Sequence, residues 1–230
     1  METGETTTLI SSGLFGHEPK WSRNGWIVFI NGTNVWKIKP DGSELTQLSF
    51  TGGCGYVEPS YDGNSFYYRY QIPGTFHGFI ADFDGLIQDT IPNMGTASWG
   101  KNNVYAIAGF NDIRQYSDAN PGYVTLLEWE EGPGCQVQDV QWNNPRQLIY
   151  FSKYLNGLYQ YDYLNKTVIQ IKDSWTSNWY QALSCSDDGT QILFQKVQSK
   201  VQNQVQLVTK SEIWLMDANG CNERRILPEL

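Results

Sequence analysis

Three carboxylates at corresponding places in an internal repeat are the residues of this chain best suited to chemistry. Glu18, Glu58 and Asp139 each lie three residues before a recurring anchor position, and His17 precedes the first of them. Thr96 and Ala182 occupy the other two corresponding positions. If the repeat closes around one axis, these acids form an electronegative mouth that can bind a cation, an amine, a sugar or a basic side chain. Alternatively, the acids cap strand ends by accepting hydrogen bonds from the backbone amides of neighbouring blades.

The anchor positions define the repeat that must position these acids. They recur every 38 to 43 residues and are occupied by Trp21, Tyr61, Trp99, Trp142 and Cys185. Each anchor is followed by a polar turn and then by short strands, which are separated by Asn-Gly, Asp-Gly or similar turns. Such turns favour hairpins because glycine adopts a positive φ. A period of about 40 residues with four strands per unit is typical of propeller blades. The sequence therefore predicts an all-β, five-bladed β-propeller of four-stranded antiparallel blades.

The repeat predicts a single propeller domain over residues 1–230. Its units cover residues 11–48, 49–90, 91–128, 129–171 and 172–227, and residues 6–10 remain as an additional outer strand. We expect that strand to pair with the outer edge of the last blade, because an uncovered edge favours aggregation. The distance from the anchor to the acidic turn is 19 to 23 residues in the first four units and 32 in the fifth. The additional residues, within 195–211, alternate in character and predict an extended hairpin.

Two groups of aromatic residues have different expected roles. The anchor aromatics are predicted to fill the core between blades, because radially packed sheets need bulky side chains there. The second group, Trp175, Trp179 and Tyr180, is predicted to lie in the connecting loop before the fifth unit, on the side where the insertion emerges. These three side chains either form an exposed contact surface beside the acids or cover a small core of their own.

Composition disfavours several classes of function. The chain has a formal net charge of −8 and a pI near 4.7, so we expect no binding to nucleic acid or to an anionic membrane surface. No apolar run has the length of a transmembrane helix, and no membrane insertion is expected. No CxxC pair is present and there are only 2 histidines, so we predict neither a metal site nor a cofactor. The cysteines are expected to be unpaired, and they are Cys54, Cys135, Cys185 and Cys221.

Segments around three anchors resemble the repeat of TolB-type β-propellers, in which Pro-x-Trp-Ser-Pro-Asp-Gly precedes the second strand. They are Pro19-Lys20-Trp21-Ser22-Arg23-Asn24-Gly25, Pro59-Ser60-Tyr61-Asp62-Gly63 and Ser184-Cys185-Ser186-Asp187-Asp188-Gly189. The resemblance covers residues 6–227 and is weaker in the third and fourth units. It implies a protein-binding or peptide-binding module and a periplasmic or extracellular location. Because that family usually has six blades, the alternative architecture is part of a larger six-bladed ring.

The function that we expect is non-enzymatic recognition of a protein or peptide over the channel mouth. The predicted contact residues are His17, Glu18, Glu58 and Asp139, flanked by Trp179 and Tyr180. The alternative is a five-bladed glycoside hydrolase or a carbohydrate-binding propeller, in which channel carboxylates act as general acid and as nucleophile or base. The segments typical of those hydrolases are not recognisable around the acids. The sequence contains no Gly-x-Ser-x-Gly elbow, phosphate loop or His-Glu-x-x-His motif.

Overall fold

The repeats form five antiparallel sheets of four strands each. A computed structural model of the chain describes residues 16–72, 75–92, 95–117, 120–130, 136–154, 156–173, 178–202 and 205–226. Within those ranges the structure is all-β, and the one helical element is a short 3-10 helix at Lys101–Asn103. In every sheet, strands that are consecutive in the chain are hydrogen-bonded neighbours. The fold is a five-bladed β-propeller of four-stranded antiparallel blades, which confirms the prediction from the repeat.

The chain divides into two compact units, Met1–Asn93 and Met94–Leu230. The first unit contains two sheets. Strands β1 to β4 of the first sheet span Gly16–Trp21, Ile27–Asn31, Asn34–Ile38 and Thr46–Gln47. Strands β5 to β8 of the second sheet span Cys54–Pro59, Ser65–Ile72, Thr75–Asp82 and Ile87–Pro92.

The second unit contains the other three sheets. Strands β9 to β12 span Ala97–Trp99, Val104–Ala108, Asp112–Ser117 and Asn120–Glu128. Strands β13 to β16 span Val137–Asn143, Leu148–Lys153, Gly157–Asp162 and Thr167–Lys172. Strands β17 to β20 span Asn178–Cys185, Gln191–Gln202, Val205–Asp217 and Arg224–Arg225.

The core of the first unit lies between its two sheets. Val28 of β2 is fully buried in one apolar cluster with Val57 of β5 and Phe66 of β6. Such β-branched and aromatic side chains fit the half-buried face of a pleated sheet. A side-chain hydrogen bond of 2.6 Å from Asn24 Nδ2 to the carbonyl oxygen of Gly63 links the turns of the two sheets. The two sheets of this unit are therefore joined by apolar contacts and by polar contacts between their turns.

The core of the second unit consists of two apolar clusters. Ile113 of the third sheet contacts the cluster that contains Trp142 and Ile149 of the fourth sheet. Between the fourth and fifth sheets, Tyr150 and Phe194 are fully buried. The Tyr150 hydroxyl donates a hydrogen bond of 2.9 Å to the carbonyl oxygen of Ala218, and burial raises the pKa of Tyr150 to about 12. The clusters hold the three sheets of this unit in sequence.

Hydrogen bonds in three turns show which residues of the repeat correspond to one another. In each turn a serine carbonyl accepts the N–H of a glycine three residues later, in the pairs Ser22–Gly25, Ser60–Gly63 and Ser186–Gly189. The three glycines have φ values of +83°, +76° and +69°, a conformation that glycine adopts without strain. The repeat is therefore aligned by its serine and glycine, whatever aromatic residue lies nearby.

This alignment corrects the anchor of the second repeat. The residue before the turn serine is Trp21 in the first repeat and Pro59 in the second. The anchor of the second repeat is therefore Pro59 and not Tyr61. Tyr61 lies inside the turn, where the Arg23 guanidinium is 4.0 Å from the centre of the Tyr61 ring. An exposed cation–π contact explains the aromatic residue at that place without a role in the core.

The insertion in the fifth unit forms the extended hairpin that the sequence predicted. β18 and β19 pair along their whole length, from Gln191 with Asp217 to Gln202 with Val205. The residue alternation of 201–207 predicted this extension correctly, because successive side chains of a strand point to opposite faces.

Some sequence predictions fall on residues that the structure does not describe. The pairing of residues 6–10, Cys135 and Trp175 lie outside the described residues. Cys54, Cys185 and Cys221 are free thiols. Among the described residues, no helix is long and apolar enough to cross a membrane.

Candidate functional site

Glu58 of β5 belongs to an ion pair and is not an isolated acid. Lys20 Nζ of β1 lies 3.1 Å from Glu58 Oε2, and both side chains are partly buried. The Tyr56 hydroxyl donates a hydrogen bond of 3.4 Å to the same carboxylate oxygen. In the corrected alignment Glu58 corresponds to Lys20, and Tyr56 takes the place expected for Glu58 three residues before the anchor. The predicted acid therefore links the innermost strands of the first two sheets.

His17 and Glu18 of β1 are both exposed. A bulge interrupts the pairing of β1 between His17 and Lys20, and Glu18 has a φ of +53° in the left-handed region. Ala182, at the corresponding position of the fifth unit, has the same φ, so the bulge belongs to the repeat. Within the ranges that the structure describes, neither His17 nor Glu18 has a side-chain hydrogen bond or ion pair. Both side chains are thus available to a partner.

Trp21 is exposed, which corrects the prediction that it is a core anchor. Its exposed fraction is 67%, whereas Trp99 and Trp142, at the corresponding positions of the third and fourth repeats, are each 5% exposed. Five of the six residues of β1 are exposed. The innermost strand of the first sheet thus presents a large aromatic side chain in addition to the exposed His17 and Glu18.

Asp139 of β13 is buried and binds backbone amides of two strands. One carboxylate oxygen accepts the N–H of Leu183 over 2.7 Å, and the other accepts the N–H of Val140 over 2.9 Å. Leu183 belongs to the bulge of β17, which leaves it outside the regular ladder. In the first repeat the corresponding bulge residue is Pro19, which has no backbone N–H and needs no acceptor. These contacts fit the alternative in which the acid caps a neighbouring strand.

Trp179 and Tyr180 lie in β17, which corrects their predicted place in the connecting loop, and both are buried, which fits the alternative in which they cover a core. Trp179 Nε1 donates a hydrogen bond of 3.1 Å to Gln181 Oε1, and the Tyr180 hydroxyl donates one of 2.9 Å to the carbonyl oxygen of Asp173. Burial raises the pKa of Tyr180 to about 12. The physical reason is the insertion, because the longer β18 provides pairing partners for β17 as far as Gln198.

The three carboxylates have three different environments. Glu18 is exposed, Glu58 is paired with Lys20, and Asp139 accepts hydrogen bonds from backbone amides. A glycoside hydrolase needs two carboxyl groups that flank one glycosidic bond, one of which supplies a proton. The backbone contacts of Asp139 are those of a structural acid. In the described part of the chain, no group of three or more His, Cys, Asp and Glu side chains is placed to hold a metal ion.

Sequence reasoning missed two exposed surfaces. The first is Trp21, whose exposure no signal in the sequence reveals, because similar tryptophans elsewhere in the repeat are buried. The second is the end of the β18–β19 hairpin, where Leu207 is 40% and Val208 is 59% exposed. The insertion marked this hairpin as unusual, but the pattern alone did not show that these apolar side chains are exposed.

Comparison with known proteins identifies the fold. No protein-family model and no curated protein matches the sequence. The structure is similar to a putative TolB from Agrobacterium tumefaciens, with a TM-score of 0.71 and 14% identity over 94% of this chain and 82% of that one. For TolB from Acinetobacter baumannii the TM-score is 0.66 and the identity 12%, over 94% of this chain and 55% of that one. An oligogalacturonate lyase from Vibrio parahaemolyticus has a TM-score of 0.61 and 9% identity, over 94% and 66% of the two chains.

These similarities concern architecture. At 9 to 14% identity they show a shared β-propeller fold and nothing beyond it. The resemblance of the repeat to TolB-type propellers is confirmed at that level. TolB proteins and a lyase are both among the similar structures, so the fold alone does not determine the function of this chain.

Proposed function

We propose that this chain is a non-enzymatic β-propeller module that binds a protein or peptide through the exposed surface of β1. The contact residues are His17, Glu18 and Trp21. The observation that carries the proposal is the 67% exposure of Trp21 on an innermost strand. Tryptophan is one of the residue types enriched among those that dominate binding energy at protein interfaces.

The surroundings of Trp21 favour binding to a protein over an accidental exposure. A regular sheet fixes the backbone of β1, which pairs with β2 on both sides of the bulge. The Lys20–Glu58 ion pair ties β1 to the second sheet. A rigid strand loses little conformational entropy on binding. Glu18 adds an exposed negative charge to the same strand, which favours a partner with a basic side chain.

Carbohydrate hydrolysis has weaker support. The lyase among the similar structures shares only the fold with this chain. Of the three acids that the hydrolase alternative requires, Glu58 is neutralised by Lys20 and Asp139 is bound to backbone amides. Glu18 alone remains exposed, and one carboxylate does not provide the acid and base pair of that mechanism.

Peptide selection tests the proposal. A random peptide library displayed on phage is panned against the immobilised chain, and enriched peptides are synthesised and titrated by fluorescence anisotropy. Trp21→Ala should weaken their binding by about tenfold or more, as expected for a dominant interface residue. Glu18→Gln should weaken binding less and flatten its dependence on salt. Phe50→Ala is the matched control, because Phe50 is 79% exposed in the same unit but lies outside β1.

The outcomes separate the two functions. Enriched peptides that bind Trp21→Ala and Phe50→Ala equally well would refute the role of β1. Release of reducing sugars from arabinan, xylan or oligogalacturonate by the wild-type chain, and its loss in Glu18→Gln, would replace the proposal by carbohydrate chemistry.

A further inference from the structure

Trp142 of the fourth sheet shows what a tryptophan near the end of an innermost strand contacts in this protein. Its ring lies against the backbone of Gly100 in the third sheet, where a β-carbon would be 2.8 Å from Trp142 Cε2. Gly100 has a φ of −89° and a ψ of 176°, which is extended backbone that any residue adopts. The glycine is therefore required by the close approach of the tryptophan ring and not by the conformation of its own backbone.

Hydrogen bonds fix the same two segments relative to each other. The backbone N–H of Trp142 donates a bond of 2.8 Å to Oγ of Ser98, which is buried. The Asn144 side chain donates a bond of 3.1 Å to the carbonyl oxygen of Trp99 and accepts one of 2.7 Å from the N–H of Lys101. The end of β13 thus recognises a segment of the third sheet by a serine hydroxyl, by its backbone and, two residues after the serine, by a glycine.

Trp21 has the same backbone arrangement in the first sheet. It pairs with Ile27 of β2, and the next residue, Ser22, donates its N–H to the carbonyl oxygen of Trp26. Hydrogen-bonded and non-hydrogen-bonded pairs alternate along an antiparallel ladder, so the N–H of Trp21 points away from β2. This is the direction in which Trp142 uses its own N–H toward the third sheet.

The two contacts that Trp142 makes directly are unused at Trp21. The Trp21 side chain is 67% exposed. In the ranges that the structure describes, its N–H has no hydrogen-bond acceptor and no cation or aromatic ring is stacked on its indole. The place of Asn144 is taken in the first repeat by Arg23, whose guanidinium lies over the Tyr61 ring. We therefore expect a partner of Trp21 to use its ring and its N–H but no amide clamp.

We propose that β1 binds a β-hairpin of a partner protein that presents a serine and, two residues later, a glycine. The glycine lies against the Trp21 ring, and the serine hydroxyl accepts the N–H of Trp21. This inference rests on the function proposed above and adds the chemistry of the partner. The corresponding hairpin of a second copy of this chain does not fit that role, because Trp142 already covers its Gly100 and binds its Ser98.

The probe is a synthetic hairpin of residues 97–107, which contains β9, β10 and the turn between them. It is cyclised by a lactam bridge between its ends, labelled for fluorescence anisotropy and titrated against the full chain. One variant hairpin carries Gly100→Ala and another carries Ser98→Ala. Val104→Thr, an isosteric change in the second strand, gives the matched control hairpin. Alanine adopts the backbone conformation of Gly100 without strain, so the hairpins should have the same fold, which circular dichroism verifies.

We expect saturable binding of the hairpin to the wild-type chain. Trp21→Ala in the chain should weaken this binding at least tenfold. Gly100→Ala in the hairpin should weaken it by a similar factor, because the added methyl group displaces the indole ring. Ser98→Ala should weaken it about fivefold, through the loss of one neutral hydrogen bond. The Val104→Thr hairpin and the chain variant Phe50→Ala should stay within about twofold of the unmodified pair.

Three results would overturn the inference. They are no saturable binding of the hairpin, equal binding of the Gly100→Ala hairpin, and equal binding by a Trp21→Ala chain whose thermal unfolding shows that it is folded. If peptides selected from the library depend on Trp21 in any of these cases, β1 remains a binding surface and the hairpin specificity alone is wrong. If neither the hairpin nor the selected peptides depend on Trp21, the proposed function is wrong as well.

Discussion

Trp142 and Trp21 occupy corresponding positions of the repeat but should differ about threefold in their contribution to stability. Trp142 is 5% exposed and packs in a cluster with Val140 and Ile149. Its indole N–H has no hydrogen-bond partner among the described residues, so truncation removes packing and no hydrogen bond. Replacing a buried tryptophan by alanine costs about 3 to 5 kcal/mol. We expect Trp142→Ala to fall in that range.

The expected cost for Trp21 follows from its exposure. A tryptophan side chain offers about 250 Å², and at 67% exposure about 80 Å² of it is buried. At about 25 cal/mol per Å² this burial is worth about 2 kcal/mol, which is an upper bound because the unfolded chain also buries some surface. Trp21→Ala should therefore cost about 1 to 2 kcal/mol.

Urea denaturation followed by far-ultraviolet circular dichroism measures both values without relying on tryptophan fluorescence. The denaturant slopes of the variants should match that of the wild type, so that a shift in midpoint reports stability. Equal losses for Trp21→Ala and Trp142→Ala would refute the assignment of Trp21 to an exposed surface. A loss below about 1 kcal/mol for Trp142→Ala would refute its role in the core.

Two further predictions concern buried polar groups. Asp139→Ala leaves the N–H groups of Leu183 and Val140 without their acceptor. The free energy of unfolding, measured with urea, should therefore fall by about 2 to 4 kcal/mol. A fall below about 1 kcal/mol would contradict the capping role of Asp139. Burial raises the pKa of the Cys185 thiol to about 12, so at pH 8 this thiol stays protonated and should react with iodoacetamide far more slowly than the exposed Cys221. Peptide mass mapping of the alkylated chain measures both rates, and faster modification of Cys185 would contradict the raised pKa of its thiol.

The fold was predictable because turn chemistry and period are local properties of the sequence. Pairs such as Asn24-Gly25 and Asp62-Gly63 mark hairpins wherever they occur, and their regular spacing indicates blades. The anchor of the second unit was misplaced because the prediction aligned aromatic residues. The constant spacing of three residues from Ser60 to Gly63, as from Ser22 to Gly25, was the better signal, since the turn hydrogen bonds require it.

The candidate site was less predictable because its side chains depend on neighbouring strands. Glu58 could not be recognised as paired, because its partner Lys20 is distant in sequence and occupies an equivalent place in another blade. Trp179 and Tyr180 were expected in a loop because the sequence does not show how far β17 follows the lengthened β18. Exposure of Trp21 likewise depends on which segments cover it. Such properties arise from tertiary contacts, and a repeat pattern contains no information about them.

Sequential strand order has a consequence for how the chain acquires its structure. Since every sheet pairs strands that follow one another directly, most contacts within a sheet join residues that are close in the sequence. Closing such short loops costs little entropy, and low contact order accompanies fast folding. Each sheet can therefore form early and then dock onto its neighbour, as in other repeat proteins. This also explains how the β18–β19 hairpin could lengthen, because additional residues at its end change one local pairing and leave the order of strands in the other sheets intact.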